Sequence, residues 1–521
     1  MTQGSRSLTH RVAAGVAWTS TFQVARQLLQ VLSVSVLARR IPPAAYGLMA
    51  MAVLVTNFLE TFRDMGTGFA LIREPHVSEE LASTVSWLNW GLGALMSLLL
   101  AAVSWPAAKF FHEPQVATIL QLLSISFFMG AVCVVPKALL SREMAFRALS
   151  LAQTAGVICG TIVAVTTAFA GGKVWSLVFG NLATTAATTL AILFYCPLKL
   201  KAHFRLREAR QVISFGMNLS GYQILAYLSR NADNLLVGRF LGSVPLGVYQ
   251  MAYTLMTYPL QNFTLVITQV VYPALAKFHN DHDRFRSAYL RTCRIIALGT
   301  FPLMLGLTVT AVPFVRVFLG ARWMPVATLL AIFGPLGALQ SVTIVGLIYN
   351  TQGRPDLNLR WNLFASMMYV ISFVVGLHWG IFGVAATYSI VWTSLMIPSL
   401  FIPFRLVKLS LKAYFGALWP TIWMSLAMTG VSEAWLLGVR RVGFHNALFQ
   451  AASTAVIGAG MYLGLVLWRK PPALFDVSSI VEGSSHPVAC LVARFLRKVA
   501  PTAQMESIPA DRQPLKPSAS N

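Results

Sequence analysis

Long apolar runs, separated by short polar segments, recur along the whole chain. A helix needs about 20 apolar residues to cross the hydrocarbon core of a bilayer. The pattern therefore predicts an all-α polytopic membrane protein with about fourteen transmembrane helices. The predicted spans are 12–38, 45–66, 82–104, 117–136, 147–170, 174–196, 211–239, 245–271, 292–314, 325–349, 358–378, 381–403, 413–437 and 446–468.

The seventh predicted span carries charged and amide side chains in its second half. Five polar residues there share one face of a helix: Gln223, Tyr227, Arg230, Asn231 and Asn234. Charged groups within a spanning helix are costly and rarely face lipid. This face is therefore predicted to line a polar cavity, and a fixed cation in that cavity favours an anionic cargo.

The first predicted span has a similar polar face, formed by Gln23, Arg26, Gln27 and Gln30 at helical spacing. Two interpretations of Arg26 stay open. It either pairs with a carboxylate, for which Glu60 of the second span is the candidate, or it binds a phosphate. The planar guanidinium fork suits a phosphate well.

Arg230 and Asp233 lie three residues apart, so they can pair on one helix. The alternative is that Arg230 binds cargo and Asp233 is a sodium or proton site, with Glu60 as a second ion-coupling candidate. Arg39 and Arg239 lie at the outer ends of spans 1 and 7. They either reach toward the lipid headgroups or line an outward-facing cavity.

Composition and charge support a membrane protein and orient it. The chain has 521 residues, 56% of them hydrophobic and 11% charged, whereas soluble domains carry about 25% charged residues. The net charge of +23 lies in loops between apolar spans, so it indicates topology rather than nucleic-acid binding. With the N-terminus inside, 29 lysines and arginines are cytoplasmic and 9 are external. The positive-inside rule then predicts two cytoplasmic termini.

An offset of 200 residues aligns two parts of the chain. Gln23 matches Gln223, Arg39 matches Arg239, Gly47 matches Gly247, and Met51-Ala52 matches Met251-Ala252. Parallel repeats are typical of transporters that bind cargo at the repeat interface. We predict an N-terminal lobe (1–198, spans 1–6), a basic cytoplasmic linker (199–210), a C-terminal lobe (211–405, spans 7–12), spans 13 and 14 (406–470), and a partly disordered cytoplasmic tail (471–521).

The sequence contains no pattern typical of an enzyme. The connecting loops are short and lack a phosphate-binding glycine-rich turn, so no ATP hydrolysis is expected. The five cysteines and the histidines have no metal-ligand spacing. No cofactor, metal or disulfide framework is expected, and the first apolar run is too long for a cleavable signal.

Several stretches resemble the polysaccharide transporter family of Wzx-type oligosaccharide flippases, in the MOP superfamily. These stretches are Leu37-Ala-Arg39-Arg40-Ile-Pro-Pro-Ala-Ala-Tyr46-Gly47, Asp64-Met-Gly66-Thr-Gly-Phe-Ala70-Leu-Ile-Arg73, Pro136-Lys-Ala-Leu-Leu-Ser-Arg142, Ser229-Arg-Asn-Ala-Asp-Asn-Leu-Leu-Val-Gly-Arg239, Pro259-Leu-Gln-Asn262, Tyr272-Pro-Ala-Leu275 and Gly320-Ala-Arg-Trp323. They resemble most closely the lipopolysaccharide and exopolysaccharide exporter branch.

The resemblance implies two six-helix lobes in a V around a central cavity, plus two C-terminal helices. It implies that undecaprenyl-pyrophosphate-linked oligosaccharide moves from the inner to the outer leaflet of a bacterial inner membrane by alternating access. The cavity arginines of the family carry over onto Arg26, Arg230 and Arg239, and we add Gln23, Gln27, Asn231 and Asn234 as candidate cargo ligands. A polysaccharide polymerase is a possible protein partner, and Na⁺ or H⁺ a possible coupling ion.

Two alternatives remain from the same superfamily. One is an ion-coupled multidrug antiporter of the MATE type, which an acidic cavity would favour. The other is a lipid II flippase.

Overall fold

The computed structural model describes residues 22–23, 26–27, 29–63, 71, 78–196 and 227–476. Within these ranges the chain is helical apart from turns, and no strand occurs. In order the helices are α1 (29–40), α2 (Pro43–Arg63), α3 (Glu79–Phe111), α4 (Gln115–Arg142), α5 (Phe146–Phe169), α6 (Val174–Tyr195), α7 (Ala232–Leu241), α8 (Ser243–Lys277), α9 (His282–Phe318), α10 (Met324–Val342), α11 (Gly346–Thr351), α12 (Pro355–Gly376), α13 (Gly380–Leu406), α14 (Leu411–Arg441) and α15 (Ala447–Arg469).

The described helices confirm an all-α, multi-pass membrane protein. Ten segments in the described ranges are long and apolar enough to cross a membrane, and one of them, Pro355–Leu406, contains both α12 and α13. The short turn expected near His378 is present as a single 3₁₀ turn, Leu377–Trp379, followed by Gly380 at φ +66°. Most of predicted span 1 and residues 211–226 of span 7 lie outside the described residues. The total of fourteen therefore stays a prediction.

Predicted span 10 is not one continuous helix, which is a correction to the sequence analysis. Helix α10 ends at Val342, and the short helix α11 begins at Gly346. The carbonyl oxygen of Val342 accepts a hydrogen bond from the Tyr414 hydroxyl at 3.0 Å and from the Cys293 thiol at 3.7 Å. These side chains replace the next backbone donor of the helix, so the chain can turn there without leaving a buried carbonyl unsatisfied.

The chain forms two compact units. Unit 1 comprises Met1–Thr257, Thr310–Phe333 and Leu359–Met396, and unit 2 comprises the remainder. In unit 1, helices α5 and α6 approach through glycines: a Cβ built on Gly160 would lie 2.6 Å from the Gly180 carbonyl oxygen. Small residues at such contacts are how membrane helices pack closely. These units follow different boundaries from the predicted lobes, and the lobe division stays a prediction.

In unit 2, helices α14 and α15 pack through a cluster of buried side chains: Met424, Met428, Tyr462, Val466 and Leu474. The segment that follows α15 is fixed to α9 by Asp476, whose carboxylate lies 2.8 Å from Arg294 Nη2 and 3.3 Å from Arg291 Nε. Burial raises the pKa of the Asp476 carboxyl, and the two guanidinium groups oppose that rise.

Many large apolar side chains remain exposed on the helices. Phe194 is 83% exposed and Leu98 is 70% exposed. Monomeric soluble proteins rarely leave broad apolar surfaces uncovered. We assign these surfaces to contact with lipid, in agreement with the length and composition of the helices.

Candidate functional site

Arg26 is a helical residue that precedes α1 in the chain, and it donates to two amide side chains. One acceptor is Gln153 Oε1 on α5, and the other is Gln23 Oε1 at 2.8 Å, one turn earlier on the same helix. Both partners in the described part of the chain are therefore neutral. Since neutral amides orient a guanidinium without cancelling its charge, this arrangement keeps a full positive charge available to an anion.

Tyr227 brings the seventh span against α2. Its hydroxyl donates to the Leu54 carbonyl oxygen at 2.7 Å, and its ring lies 5.8 Å from that of Phe58. Glu60 and Arg230 both lie close enough to influence Tyr227 electrostatically. The structure therefore groups Glu60, Tyr227 and Arg230, and it bonds Arg26 to Gln23. Gln27 is half-buried on the same helix as Arg26.

The predicted polar face of the seventh span is interrupted at Asn231. A turn there, with φ −117° and ψ 12°, separates the helical residues 227–230 from α7. The Tyr227 carbonyl oxygen accepts from both the Asn231 backbone N–H at 3.1 Å and the Asn231 side chain at 2.9 Å. Arg230 is exposed, whereas Asn231 and Asn234 are half-buried. Gln223 lies outside the described residues.

Asn234 presents a buried amide oxygen, Oδ1, for which the described residues supply no donor. Buried polar atoms are usually satisfied by protein or water, so such an atom is a natural acceptor for a ligand hydroxyl. Sugar hydroxyl groups are donors of this kind. Asn234 is therefore compatible with a site that contacts glycan as well as phosphate.

Asp233 is only 5% exposed and lies among aromatic side chains. Its Oδ2 accepts from the Tyr249 hydroxyl at 3.0 Å, and its Oδ1 accepts from the backbone N–H of Asn234 at 2.7 Å. Tyr249 stacks on Tyr253 and meets the edge of Phe333 at 5.7 Å. A carboxylate so enclosed has two donors and little water, which suits a group that gains and loses a cation.

Arg239 lies in the last turn of α7, at the opposite end of that helix from Arg230. Its Nη1 lies 2.7 Å from His112 Nε2, and its guanidinium carbon lies 5.4 Å from the Phe110 ring centroid. Arg39 donates to the Val317 carbonyl oxygen. These contacts place Arg39 and Arg239 at helix ends, away from the group around Tyr227.

Sequence reasoning did not find several partners in this region. Gln153 and Tyr249 are polar groups within apolar spans, so intramembrane polarity was a usable signal for both. His112 had no such signal, because it follows α3 in an ordinary polar turn. No group of three metal-ligating side chains occurs among residues described by the structure.

Comparison with known proteins gives the family. The family model described as "Polysaccharide biosynthesis protein" matches residues 36–328, more than half of the chain. Lipopolysaccharide biosynthesis protein WzxC of Escherichia coli (strain K12) is 26% identical over 438 residues, covering 82% of this chain and 88% of the relative. Teichuronic acid biosynthesis protein TuaB of Bacillus subtilis (strain 168) is 26% identical over 473 residues, covering 89% and 97%.

Solved structures show the same fold at low identity. Lipid II flippase MurJ in an inward closed conformation gives a TM-score of 0.69 at 15% identity, covering 87% of this chain and 99% of that one. An inward-facing MATE family transporter of the MOP superfamily gives a TM-score of 0.58 at 16% identity, covering 74% and 94%.

These comparisons confirm the predicted resemblance and the MOP transporter fold. The two relatives are biosynthesis proteins of lipopolysaccharide and teichuronic acid, and the solved structures show the fold. The match over 36–328 includes the end of α1, all of α2 to α9, and Tyr227, Asp233 and Arg239. The chain is therefore a multi-pass membrane protein that belongs to the polysaccharide biosynthesis protein family.

Proposed function

We propose that this chain moves lipid-linked oligosaccharide repeat units, carried on undecaprenyl pyrophosphate, across the bacterial inner membrane. Transport runs from the inner to the outer leaflet by alternating access and feeds exopolysaccharide or lipopolysaccharide assembly. Both termini face the cytoplasm, and the exported unit passes to a polysaccharide polymerase. Polysaccharide precursors as cargo are supported by the relatives WzxC, TuaB and the succinoglycan biosynthesis transport protein ExoT of Rhizobium meliloti (strain 1021), which are named for lipopolysaccharide, teichuronic acid and succinoglycan.

The observation that carries the proposal is the environment of Arg26. Its guanidinium is half-buried and held by Gln23 and Gln153, both neutral. An intramembrane cation is costly, and one oriented by amides has its charge left for a ligand. A pyrophosphate headgroup supplies the matching oxygens, and the guanidinium can contact two of them at once.

A second group of candidate ligands lies around the turn at Asn231. Arg230 is exposed there, and Asn234 carries a buried acceptor oxygen. We assign Arg230 to the headgroup and the two asparagines to the sugars. Gln27 joins the headgroup side, since it neighbours Arg26 in the chain.

The energy for transport must come from outside the chain, for example from an ion gradient, because the sequence has no ATP-hydrolysing motif. We assign coupling to Na⁺ or H⁺ at Asp233, whose carboxylate is buried between Tyr249 and the Asn234 N–H. Glu60 is the second candidate. Flipping in proteoliposomes, with a sodium gradient, a proton gradient or neither, identifies the ion.

The proposal is tested with a strain that lacks the gene. We expect lipid-linked repeat units to accumulate on the inner leaflet, and the parent gene to reverse this. Arg26→Ala should leave the accumulation in place, with transport reduced about 10- to 100-fold. That range corresponds to loss of one charge-assisted hydrogen bond of roughly 1.5–3 kcal/mol.

Arg405→Ala is the matched control. Arg405 is an exposed arginine in unit 2 that lies 4.2 Å from the Phe401 ring centroid. It should restore export at the parental rate at equal protein level. Normal polysaccharide together with sensitivity to cationic drugs would instead identify a multidrug antiporter. Accumulation of peptidoglycan precursor alone would identify a lipid II flippase.

A further inference from the structure

Helices α2 and α8 cross at a pair of glycines, and the contact is reciprocal. A Cβ built on Gly47 would lie 1.7 Å from the Ser243 carbonyl oxygen, and one built on Gly247 would lie 2.0 Å from the Pro43 carbonyl oxygen. Both pairs are related by the 200-residue offset found in the sequence: 43 with 243, and 47 with 247. All four residues belong to unit 1. The two repeats therefore meet here backbone to backbone.

Two arginines close to this crossing in the sequence, Arg39 and Arg239, are also 200 residues apart. Arg39 donates to the Val317 carbonyl oxygen, in the last turn of α9. Arg239 bonds to His112, the C-cap residue of α3. Each arginine thus reaches the C-terminal end of a helix that belongs to the other repeat. Helix C-termini attract cations, since their last carbonyl groups point outward with partial negative charge.

Two further hydrogen bonds surround Arg39. The Ser35 hydroxyl donates to the Phe318 carbonyl oxygen at 2.7 Å, and the Trp323 indole donates to the Ala38 carbonyl oxygen at 2.8 Å. Trp323 is fully buried and meets the edge of the Tyr46 ring at 5.1 Å. As a result the Ala38 side chain is only 1% exposed, although it lies near the end of α1.

We propose that Gly47, Gly247, Arg39 and Arg239 form a releasable closure between the two repeats on the outer side of the membrane. Arg39 and Arg239 act as its latches and hold the cavity shut toward the outside. This inference rests on the alternating access and the topology stated under the proposed function. By that topology the ends of α1, α3 and α9 all face outward.

The chemistry of these contacts suits repeated opening. Each arginine contacts a helix end, Arg39 at the Val317 carbonyl oxygen and Arg239 at the His112 ring, with no carboxylate partner among the residues that the structure describes. Water can replace such contacts at small cost. At the glycine crossing, backbone meets backbone without interlocking side chains, so the helices separate without a change of rotamers. A latch based on a buried carboxylate would leave an uncompensated charge on opening, and this one does not.

Cysteine labelling tests the closure without knowledge of the cargo. Ala38→Cys is introduced into a chain whose five native cysteines are serine, and cells are treated with a membrane-impermeant maleimide. In this background Ala38→Cys should react slowly. Added Gly47→Ala or Gly247→Ala should speed the reaction roughly tenfold, within the range of typical conformational coupling. The double change Arg39→Gln with Arg239→Gln should also speed the labelling of Ala38→Cys. The double change Arg39→Lys with Arg239→Lys should speed it less.

Gly91→Ala is the matched control, because a Cβ at this helical glycine would meet nothing within 4 Å. It should leave the labelling rate unchanged. Rapid labelling of Ala38→Cys in the otherwise unmodified background, or equal rates in all variants, would overturn the closure. If a glycine variant fails to reach the membrane, the labelling rates of the two double variants at Arg39 and Arg239 test the closure instead. The labelling rate reports opening of the closure whichever cargo is carried, whereas repeat-unit accumulation reports the cargo. The two experiments therefore test the closure and the proposed function separately.

Discussion

The carboxylate of Asp233 uses both of its oxygens within the protein. Oδ2 accepts from Tyr249 and Oδ1 from the backbone N–H of Asn234. Asp233 therefore does not depend on Arg230 to satisfy its hydrogen-bonding capacity. The main reason to pair Arg230 with Asp233 was that the buried carboxylate needed a partner, and Tyr249 and the Asn234 N–H already meet that need. Separate roles, cargo binding for Arg230 and ion coupling for Asp233, are then the simpler account.

The separate roles lead to a prediction for Arg230. Arg230→Ala should abolish repeat-unit export while the protein still inserts, since the fixed charge at the headgroup is lost. Arg230→Lys should recover part of the activity, because an ammonium keeps the charge without the planar two-point contact. The measurement is export rate at matched protein level in the deletion strain.

The double change Arg230→Ala with Asp233→Ala separates the two interpretations. If Arg230 only neutralised Asp233, removing both would restore export, since no unpaired buried charge would remain. We expect the double variant to stay inactive. Export at the parental rate would remove Arg230 from the transport site.

At the scale of residues, the sequence predicts contacts between side chains one turn apart on the same helix. Gln23 and Arg26, one turn apart, are in contact as their spacing indicated. Gln153 reaches Arg26 across 127 residues, and Tyr249 reaches Asp233 from the next helix. Such partners depend on how helices pack, which a single sequence does not encode in local periodicity.

At the scale of elements, the apolar runs predicted where the helices lie, but they did not predict the two interruptions, after Val342 and at Asn231. The ends of α5, α6 and α15 lie within one residue of the predicted spans. The break after Val342 was missed because its cause, the Tyr414 hydroxyl, comes from another helix. The turn at Asn231 was missed for a related reason, since asparagine is compatible with both a helix and a turn.

The close packing of α5 on α6 gives a prediction at this scale. In Gly160→Ala the new methyl group would lie 1.8 Å from Thr184 Oγ1 and 2.6 Å from the Gly180 carbonyl oxygen. Because the second atom is backbone, the helices must move apart. We expect a loss of about 1–3 kcal/mol, the usual range for overpacking. Thermal unfolding of detergent-solubilised protein measures it.

The control for Gly160→Ala is again Gly91→Ala, where the added methyl group has free space. There the higher helix propensity of alanine should be neutral or stabilise by up to about 1 kcal/mol. Equal unfolding midpoints for the two variants would contradict the view that α5 and α6 depend on their glycines for contact.

At the scale of the whole molecule, the distribution of basic residues predicts the topology. The linker 199–210 should be cytoplasmic, and 439–445, which connects predicted spans 13 and 14, should be external. In the cysteine-free background, Ala202→Cys should react with an impermeant thiol reagent only in inverted vesicles. Val442→Cys, at a position 74% exposed, should react only in intact cells.

Reaction of both cysteines from one side would refute the seven spans predicted between them, because an odd number places the two sites on opposite sides. Reaction of Ala202→Cys in intact cells would also reverse the side assigned to the closure around Gly47. The membrane fold itself, inferred from length and apolar content, would stand, because it depends on helix composition and on the family and not on sidedness.

The crossing of Gly47 and Gly247 has the form that subunit interfaces take in symmetric dimers. There, when position i of one copy touches position j of the other, j also touches i, and the contact is called isologous. Here the two positions lie in one chain, so a substitution changes one of them at a time. Each glycine faces the opposite carbonyl oxygen by itself, and the other glycine cannot compensate for its loss. The two positions therefore meet the same steric constraint separately, unlike the paired positions of a symmetric dimer, which one substitution changes together.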